Sequence, residues 1–471
     1  MRKDRCSFRY GPYITFELKV PEIIEKFFTK HVFAAKIFNI FLCKCKVPEI
    51  LDKLFKTGHD GISAAVRVVP VEQVNKYIQD MIGDTNIVIS LTGPEKEGLA
   101  YPTDEELLRD FMKAQQIPVE PYRETLSDEP LIPSLPAPGK ITESKEDPLF
   151  GATVLTLSNG IKVVLKHTDF KKDEIQMTAT SPGGSTLFGN KDIDNLKVFN
   201  EVIELGGLGN FSATDLGKML AGKKVSCSTS LGLDSENVNG SSTPSDLKTL
   251  FELIYLSFTA PRMDEEAYAS FENRMKAQLK NLELNPMVAF SDSLTKAIYN
   301  NNPRAMRIDP ADFKNISYPR IMEMYKERFG DASGFVFTFV GNINTDSIRP
   351  LVEQYLATLP ANGKIEQGNP KEVPAIRKGD YVNRFKRQME TPKASVVNFY
   401  SGQMDYNLEN IVTATMLKQV LDLVYTEKVR EDEGGTYGVQ TSARISSFPE
   451  GQTFLQAYFD TDPDKREKMN T

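Results

Sequence analysis

Histidine and cysteine carry much of the metal and nucleophile chemistry of enzymes, and both are scarce in this sequence. The 471 residues include three histidines, His31, His59 and His167, and none lies within five residues of another. The zinc motifs H-x-x-E-H and H-E-x-x-H, which place two imidazoles on one face of a helix, are therefore absent. The sequence predicts no self-contained zinc hydrolase site.

A thiolate zinc site is the remaining metal hypothesis, because cysteine and histidine are the usual zinc ligands. Its ligands would be His31, Cys43, Cys45 and His59. Since C-x-C with distant histidines fits no closed structural spacing, core cysteines and surface histidines are the favoured interpretation. The chain has four cysteines in all, too few for its length to indicate a disulfide framework.

Two glycine-rich segments raise other catalytic hypotheses. "PGGST", from Pro182 to Thr186, is not G-x-S-x-G, and no histidine is near it in sequence to act as a base for Ser185. "GGLGNFSA", from Gly206 to Ala213, lacks the lysine and the strand–loop–helix order of a phosphate-binding loop. A turn at Ser185 and a helix-to-helix turn with Ser212 as the next N-cap are favoured.

A third candidate, "VREDEGGTYGV", runs from Val429 to Val439 and sets Arg430 and Tyr437 seven positions apart. Either it is a helix end followed by a strand, or the two side chains are held apart for a substrate. Physical chemistry alone favours the first interpretation, because arginine suits the negative end of a helix and tyrosine suits a half-buried strand.

The elements that would position this segment are a helix from Leu408 to Arg430 and a strand after it. Glycine at Gly434-Gly435 suits the helix C-terminus. Apolar residues recur along the helix at Leu408, Ile411, Met416, Val420 and either Leu423 or Val424. The strand places Tyr437 and alternate residues after it on one face.

The composition is that of a soluble globular protein of about three domains. The net charge is −7 with no long basic block, so a nucleic-acid partner is not expected. The most apolar early stretch, from Val32 to Cys43, is interrupted by Lys36 and is shorter than the roughly 20 residues of a membrane span. It also begins too deep for a signal peptide. We expect neither a membrane span nor an export signal in this chain.

Prolines and glycines divide the chain. Seven prolines fall between Pro118 and Pro148, which predicts an extended linker. After it, Asn159-Gly160 predicts a hairpin turn with positive φ angles, so a new domain starts near Pro148. Paired helical patterns between strand-like runs then favour an α+β fold.

An internal similarity indicates duplicated domains. "YIQDMIGDTNIVISLTG", from Tyr77 to Gly93, and "YKERFGDASGFVFTFVG", from Tyr325 to Gly341, share the order of helix end, Gly-Asp break, buried strand and glycine. Their offset of 248 residues is too long for a solenoid repeat.

These segments together resemble the pitrilysin/insulinase-type zinc peptidases, the inverzincins. "VREDEGGTYGV" is similar to the Arg…Tyr motif in the C-terminal half of that family, and "LSNGIKVVLKHTDFKKDEI", "GGLGNFSATDL" and "IYLSFTAPRMDEEAYASF" resemble the third domain of its long bacterial members. The resemblance runs from about Gly61 to the end. It implies tandem homologous α/β-roll units, each an antiparallel sheet with packed helices, joined by a Pro-rich linker.

The resemblance also implies a domain organisation. The sequence departs from the family in two respects. The helix "VFNEVIELGG" keeps Glu201 and Glu204 but has no histidine, as in the family's inactive third unit. The fourth unit is expected to be truncated at Thr471. The implied segments are an unplaced N-terminal part (1–60), the remnant of a second unit (61–115), the linker (116–147), the third unit (148–372) and part of a fourth (379–471).

In the family the two halves close around a peptide, so the resemblance assigns Arg430 and Tyr437 to substrate binding and oxyanion assistance. A guanidinium holds a carbonyl or carboxylate, and a phenol donates to an oxyanion. We expect no catalytic residue, metal or cofactor in this chain, and zinc in the complete enzyme. The expected partners are a peptide or unfolded polypeptide substrate and a zinc-bearing N-terminal half or partner subunit; the compartment would be the periplasm if that half carries a signal. The alternative is a catalytically inactive scaffold subunit of the same fold.

Overall fold

The computed structural model describes residues 88–93, 98, 100–117, 129–432, 434–436 and 438–470. The chain divides into two compact units, residues 1–122 and 123–471. Several predictions fall outside the described residues: the segment 1–60, the hypothetical zinc ligands His31, Cys43, Cys45 and His59, and Tyr437.

In the first unit a helix, α1, spans Asp104–Gln115. The Thr103 hydroxyl accepts the Glu106 amide and the Glu106 carboxylate accepts the Thr103 amide, which is a capping box that satisfies two free donors at the helix start. The predicted strand before this helix is not confirmed. Its described part, residues 88–93, forms no strand, and Val88 is exposed. A strand needs a hydrogen-bonded neighbour, and none of the described residues pairs with this segment.

The second unit contains a large module, residues 129–372, built on a seven-stranded sheet in the order β1-β2-β3-β7-β4-β6-β5. Its strands are β1 (Ile141–Asp147), β2 (Ala152–Leu157), β3 (Lys162–His167), β4 (Ile175–Pro182), β5 (Val225–Leu231), β6 (Ser235–Ser242) and β7 (Val336–Gly341). Its helices are α2 (Ile193–Val202), α3 (Ala213–Met219), α4 (Leu247–Thr259), α5 (Glu265–Leu282), α6 (Pro286–Tyr299), α7 (Tyr318–Phe329) and α8 (Thr345–Leu351), followed by a π-helical turn at Val352–Leu356.

One face of this sheet forms the core. Alternate residues of β4 are buried, beginning with Ile175, and those between them are exposed, as on a sheet covered on one side. Phe251 of α4 stacks on Phe339 of β7 with ring centroids 5.1 Å apart. The Tyr325 hydroxyl of α7 donates to the Ser257 carbonyl of α4 at 2.8 Å. The helices α4 and α7 are thereby fixed to each other on the buried face.

The predicted hairpin is formed by β2 and β3, but its turn differs from the prediction. Only Gly160 has a positive φ, +86°, and the Leu157 amide donates to the Ile161 carbonyl at 2.9 Å, so the loop has three residues with glycine at the left-handed position. Asn159 is used through its side chain instead. Its amide group donates to the Leu356 and Leu359 carbonyls at 2.8 and 3.1 Å.

The predicted linker boundary at residue 147 also differs. Ile141–Asp147 form β1, which pairs antiparallel with β2 at the edge of the sheet, and Leu131 is buried against Phe211, Leu216 and Leu256. An edge strand with exposed charged side chains has no apolar alternation by which a sequence pattern could identify it. The boundaries of the other predicted domains stay predictions.

A small module, residues 394–470, follows. It contains β8 (Ala394–Gln403), α9 (Leu408–Tyr425), β9 (Val439–Ser447), β10 (Glu450–Thr461) and a short helix α10 (Arg466–Met469), and its three strands are antiparallel in the order β8-β10-β9. The large module contains a similar arrangement, because β4, α2, β5 and β6 occur in this order along the chain, with α3 inserted before β5, and the strands lie in the order β4-β6-β5. This repetition agrees with tandem α/β units.

The helix predicted from Leu408 is present, but its apolar stripe is not buried. Leu408, Met416, Val420 and Leu423 are exposed, and no residue of α9 within Leu408–Tyr425 is buried. A spacing of three and four residues predicts a common face, but it cannot show whether another element covers that face.

Among the described residues, no helix is both long enough and apolar enough to cross a bilayer.

Candidate functional site

Arg430 lies at the end of the α9 helical segment, where the backbone changes from α to π geometry over Thr426–Asp432. Its side chain is exposed. The guanidinium makes no hydrogen bond or ion pair with any residue in the described part of the chain. π-helical turns occur frequently at functional sites because they shift the direction of a side chain relative to an α-helix.

The turn after Arg430 is fixed by its two glycines. Gly434 has a φ of +55°, the left-handed conformation expected of a helix-ending glycine. The Gly434 amide donates to the Arg430 carbonyl at 3.2 Å and the Gly435 amide to the Val429 carbonyl at 3.3 Å. The Thr461 hydroxyl of β10 then donates to the Gly435 carbonyl at 2.6 Å. The predicted stop at Gly434-Gly435 is confirmed, and β10 holds it in place.

Asp422, about two helical turns before Arg430, attaches α9 to β9. Its carboxylate accepts the Thr441 amide at 3.2 Å, the Thr441 hydroxyl and the Lys418 ammonium, the last at 2.6 Å. Burial alone would raise the pKa of Asp422, but the hydrogen bonds from Lys418 and Thr441 outweigh it and lower the pKa. The charged carboxylate therefore sets the position of the helix end relative to the strand.

Tyr437, the other predicted site residue, lies outside the described residues. On either side of it the Thr436 hydroxyl donates to the Gly438 carbonyl at 3.1 Å. The joint role of Arg430 and Tyr437 stays a prediction.

Sequence reasoning missed Asp422 and Thr441, because no spacing rule links a helical aspartate to a strand 19 residues later.

The helix that resembles a zinc helix does not offer a zinc site. Relative to Glu201, an H-x-x-E-H motif would require histidines at positions 198 and 202, where the chain has Val198 and Val202, 1% and 0% exposed. The Glu204 carboxylate accepts the Thr229 amide of β5 at 3.1 Å, and burial raises the pKa of Glu204. In the described part of the chain no three His, Cys, Asp or Glu side chains converge as a metal site would require.

The remaining candidate side chains have structural roles. The Ser212 hydroxyl accepts the Asp215 amide at 3.1 Å, so the predicted N-cap is confirmed, and Ser185 lies in a single 3₁₀ turn as expected. His167 Nδ1 lies 2.9 Å from the Ile343 carbonyl. Cys227 packs against the core, and burial raises the pKa of its thiol to about 12, which keeps the thiol protonated.

Comparison with known proteins agrees with this arrangement. Residues 315–471 match the model of the peptidase M16 inactive domain. A zinc protease PQQL-like protein of Arabidopsis thaliana is 24% identical over 400 residues, which cover 82% of this chain and 37% of that protein. The chain thus spans little more than a third of this relative's length.

Two solved structures share the fold. The periplasmic protease PqqL from Escherichia coli superposes with a TM-score of 0.64 at 18% identity, over 78% of this chain and 40% of that one. A mutant of the ferredoxin protease FusC in complex with Arabidopsis ferredoxin superposes with a TM-score of 0.63 at 18% identity, over 88% and 45%. The expected resemblance to the inverzincin zinc peptidases and the predicted α+β fold of tandem units are confirmed.

Proposed function

We propose that this chain is the non-catalytic, substrate-enclosing half of a zinc-dependent endopeptidase. It would bind a peptide or an unfolded polypeptide and assist its hydrolysis at a zinc site supplied by a zinc-bearing N-terminal half or partner subunit. The match to the peptidase M16 inactive domain and the zinc protease name of the Arabidopsis relative support this class of reaction. The ferredoxin bound to FusC supports a protein as the substrate.

The observation that carries the proposal is the state of Arg430. Its guanidinium is exposed and makes no hydrogen bond or ion pair with the residues that the structure describes. The backbone beneath it is held by the Gly434 turn and by Asp422. A guanidinium on this backbone is suited to hold a peptide carbonyl or carboxylate, because it donates several hydrogen bonds in a planar arrangement.

The proposed roles are separate. Arg430 would bind and orient the peptide, and the Tyr437 hydroxyl would donate a hydrogen bond to the carbonyl oxygen as negative charge develops on it. Bound zinc, held elsewhere, would supply the activated water. This chain's residues would therefore contribute to binding and to stabilisation of charge.

A scaffold without substrate binding is the second candidate. The exposed apolar side chains of α9 favour it, since a patch of this kind often marks a protein interface. The two candidates differ in one measurable property, the affinity of the chain for unfolded polypeptide.

The test is a titration of a fluorescently labelled unfolded casein peptide with the full chain, followed by fluorescence anisotropy. The proposal predicts saturable binding without zinc, and Arg430→Ala should weaken it about tenfold, in line with the loss of one hydrogen bond to a charged group. Arg444→Ala is the matched control, since Arg444 is an exposed arginine of β9 in the same module. Absence of binding would favour the scaffold, and equal effects of both variants would remove Arg430 from the site.

Tyr437→Phe separates binding from catalysis. With a catalytic half that carries H-x-x-E-H, this variant should bind the peptide as the wild type does and turn it over about 100-fold more slowly, the usual cost of removing an oxyanion donor. Unchanged turnover would assign Tyr437 a packing role.

A further inference from the structure

The two outer strands of the seven-stranded sheet differ in composition. β1 reads ITESKED and has four charged side chains among its seven residues. β5 reads VSCSTSL and contains neither a charge nor a proline. Charged side chains, proline, a bulge or a covering element usually protect an outer strand from pairing with a foreign strand. Since the sequence of β5 has no charge or proline and its pairing with β6 has no bulge, its edge depends on protection from another element.

The backbone groups on the outer side of β5 follow from its hydrogen bonds. β5 is the terminal strand of its sheet and pairs with β6 in a continuous antiparallel register. The Thr229 and Leu231 amides donate to side chains outside the sheet, so they face outward. Because residues two apart in a strand direct their backbone groups to the same side, Val225 and Cys227 face outward as well.

Two side chains occupy this outer side, Asn200 in α2 and Glu204 two residues after that helix. The Asn200 side-chain oxygen accepts the Leu231 amide at 2.8 Å, and the Asn200 side-chain nitrogen donates to the Leu231 carbonyl at 3.3 Å. The Glu204 carboxylate accepts the Thr229 amide at 3.1 Å. All three hydrogen bonds are partly buried. The carboxamide of Asn200 thus makes the two contacts with Leu231 that a neighbouring strand would make.

The spacing of the two side chains matches the spacing of the strand. Asn200 and Glu204 are four positions apart, and four residues of a helix advance about 6 Å. Thr229 and Leu231 are two positions apart, and two residues of an antiparallel strand advance about 6.8 Å. The earlier side chain contacts the later strand residue, so α2 runs antiparallel to β5. Side chains about one helical turn apart can therefore bind successive outward-facing residues of the strand.

We propose that Asn200 and Glu204 form an edge guard, a pair of side chains that closes β5 to strand addition by an extended polypeptide. With Thr229 and Leu231 occupied, a new strand could pair with residues 225–228 alone, which is shorter than the roughly five residues of an ordinary strand. Removal of the guard would open the whole edge, and an uncharged extended segment would bind there through main-chain hydrogen bonds. This inference goes beyond the proposed function and depends on neither Arg430 nor zinc.

The first measurement tests whether the guard holds the two amides. Hydrogen exchange of β5 in the full chain is followed by mass spectrometry with fragmentation to single residues. Asn200→Ala should speed exchange of the Leu231 amide about tenfold, because that amide loses its acceptor. Glu204→Ala should do the same at Thr229. Glu204→Gln is the matched control, because its side-chain oxygen still accepts the Thr229 amide, and its exchange should be that of the wild type.

The second measurement tests whether the edge is closed to polypeptides. The probe is a synthetic peptide of β6, residues 235–242, because β6 already pairs with β5 along its whole length. In the variant Asn200→Ala/Glu204→Ala, saturable binding of the peptide should slow exchange of the Thr229 and Leu231 amides about tenfold or more. In the wild type the peptide should leave this exchange unchanged. The same peptide with alternate backbone amides N-methylated cannot donate to a strand and should have no effect on either chain.

The fold of the double variant is checked by near-UV circular dichroism, and Asn200→Ala alone, which opens Leu231, takes its place if that signal is lost. Slowing of β5 exchange by the peptide in the wild type would overturn the proposal. So would a folded variant whose β5 exchange does not respond to the peptide, since the two side chains would then only attach α2 to the sheet. Self-association of the variant with protected β5 amides, seen by sedimentation velocity, would support the proposal, because the opened edge would have paired with a second copy.

Discussion

A single carboxylate in the small module attaches α9, the helix before Arg430, to β9. Asp422 accepts two hydrogen bonds from Thr441 and one from Lys418, and those bonds outweigh the burial that opposes its charge. Glu204, two residues after α2, accepts the Thr229 amide and pairs with no cation in the described part of the chain, and burial raises its pKa. The pKa values of these two acids thus shift in opposite directions, and of the two only Asp422 has a cation beside it among the described residues.

This contrast predicts a pH dependence at Asp422. A carboxylate whose pKa is lower in the folded state than the usual value of about 3.9 stabilises the fold above that value, and its contribution is lost as the pH falls through the lowered pKa. The protection of the Thr441 amide against hydrogen exchange, corrected for the intrinsic rate, should therefore decrease at acidic pH in the wild type.

In Asp422→Asn this protection should be weaker at pH 7 and independent of pH below it, as read by mass spectrometry of the exchanged chain. Asp405→Asn is the control, since Asp405 is an exposed acid before α9. The same acidic decrease in Asp422→Asn would show that another group is responsible.

At the scale of elements, side-chain contacts between distant segments fix the hairpin and the helices. Asn159 connects the β2–β3 turn to the π-helical end of α8 through the carbonyls of Leu356 and Leu359. Arg320 of α7 pairs with Asp192 before α2, with Nε and a terminal nitrogen 3.2 and 3.1 Å from the two carboxylate oxygens. Such contacts hold α2 and α8 in register with the sheet.

Replacement of Asn159 tests this connection. Asn159→Asp substitutes an oxygen for the donor amide and opposes it to two carbonyl oxygens, so it should destabilise the large module by about 1–3 kcal/mol. Asn159→Ala should cost less, because it removes the donor without adding repulsion. Thermal unfolding followed by near-UV circular dichroism measures the difference, and Asn281→Asp at an exposed position of α5 is the control. No loss of stability in either variant beyond that of Asn281→Asp would argue against the two hydrogen bonds.

At the scale of the whole molecule, the chain resembles part of a zinc protease, and its sequence contains neither H-x-x-E-H nor H-E-x-x-H. The positions that a zinc pair would need on α2 hold buried valines, and the described residues assemble no other metal site. The relative from Arabidopsis is covered over 37% of its length. Hydrolysis is therefore proposed as a property of an assembly.

The chain alone should not cleave peptides. Added zinc should give no turnover of a quenched-fluorescence peptide, and a chelator should not change the background, because water is not activated without bound metal. The catalytic half with H-x-x-E-H serves as the positive control. Chelator-sensitive turnover by the isolated chain would contradict both candidate functions.

Local features were predictable from the sequence. The Ser212 cap and the glycine stop after Arg430 follow from hydroxyl capping and the backbone freedom of glycine. The three histidines are too far apart in sequence to form either helical zinc motif, so these motifs are excluded without structural information. Each of these signals lies within a few residues of the feature it determines.

Only the tertiary structure decided which elements meet. Part of the expected linker forms β1, and Asn159 donates to a segment 200 residues away. Met416 and Val420 are exposed, and Asp422 is hydrogen-bonded to Thr441. The physical reason is that burial and hydrogen bonding depend on the partner across the fold. Spacing along the chain specifies a face or a donor, but not what that face or donor contacts.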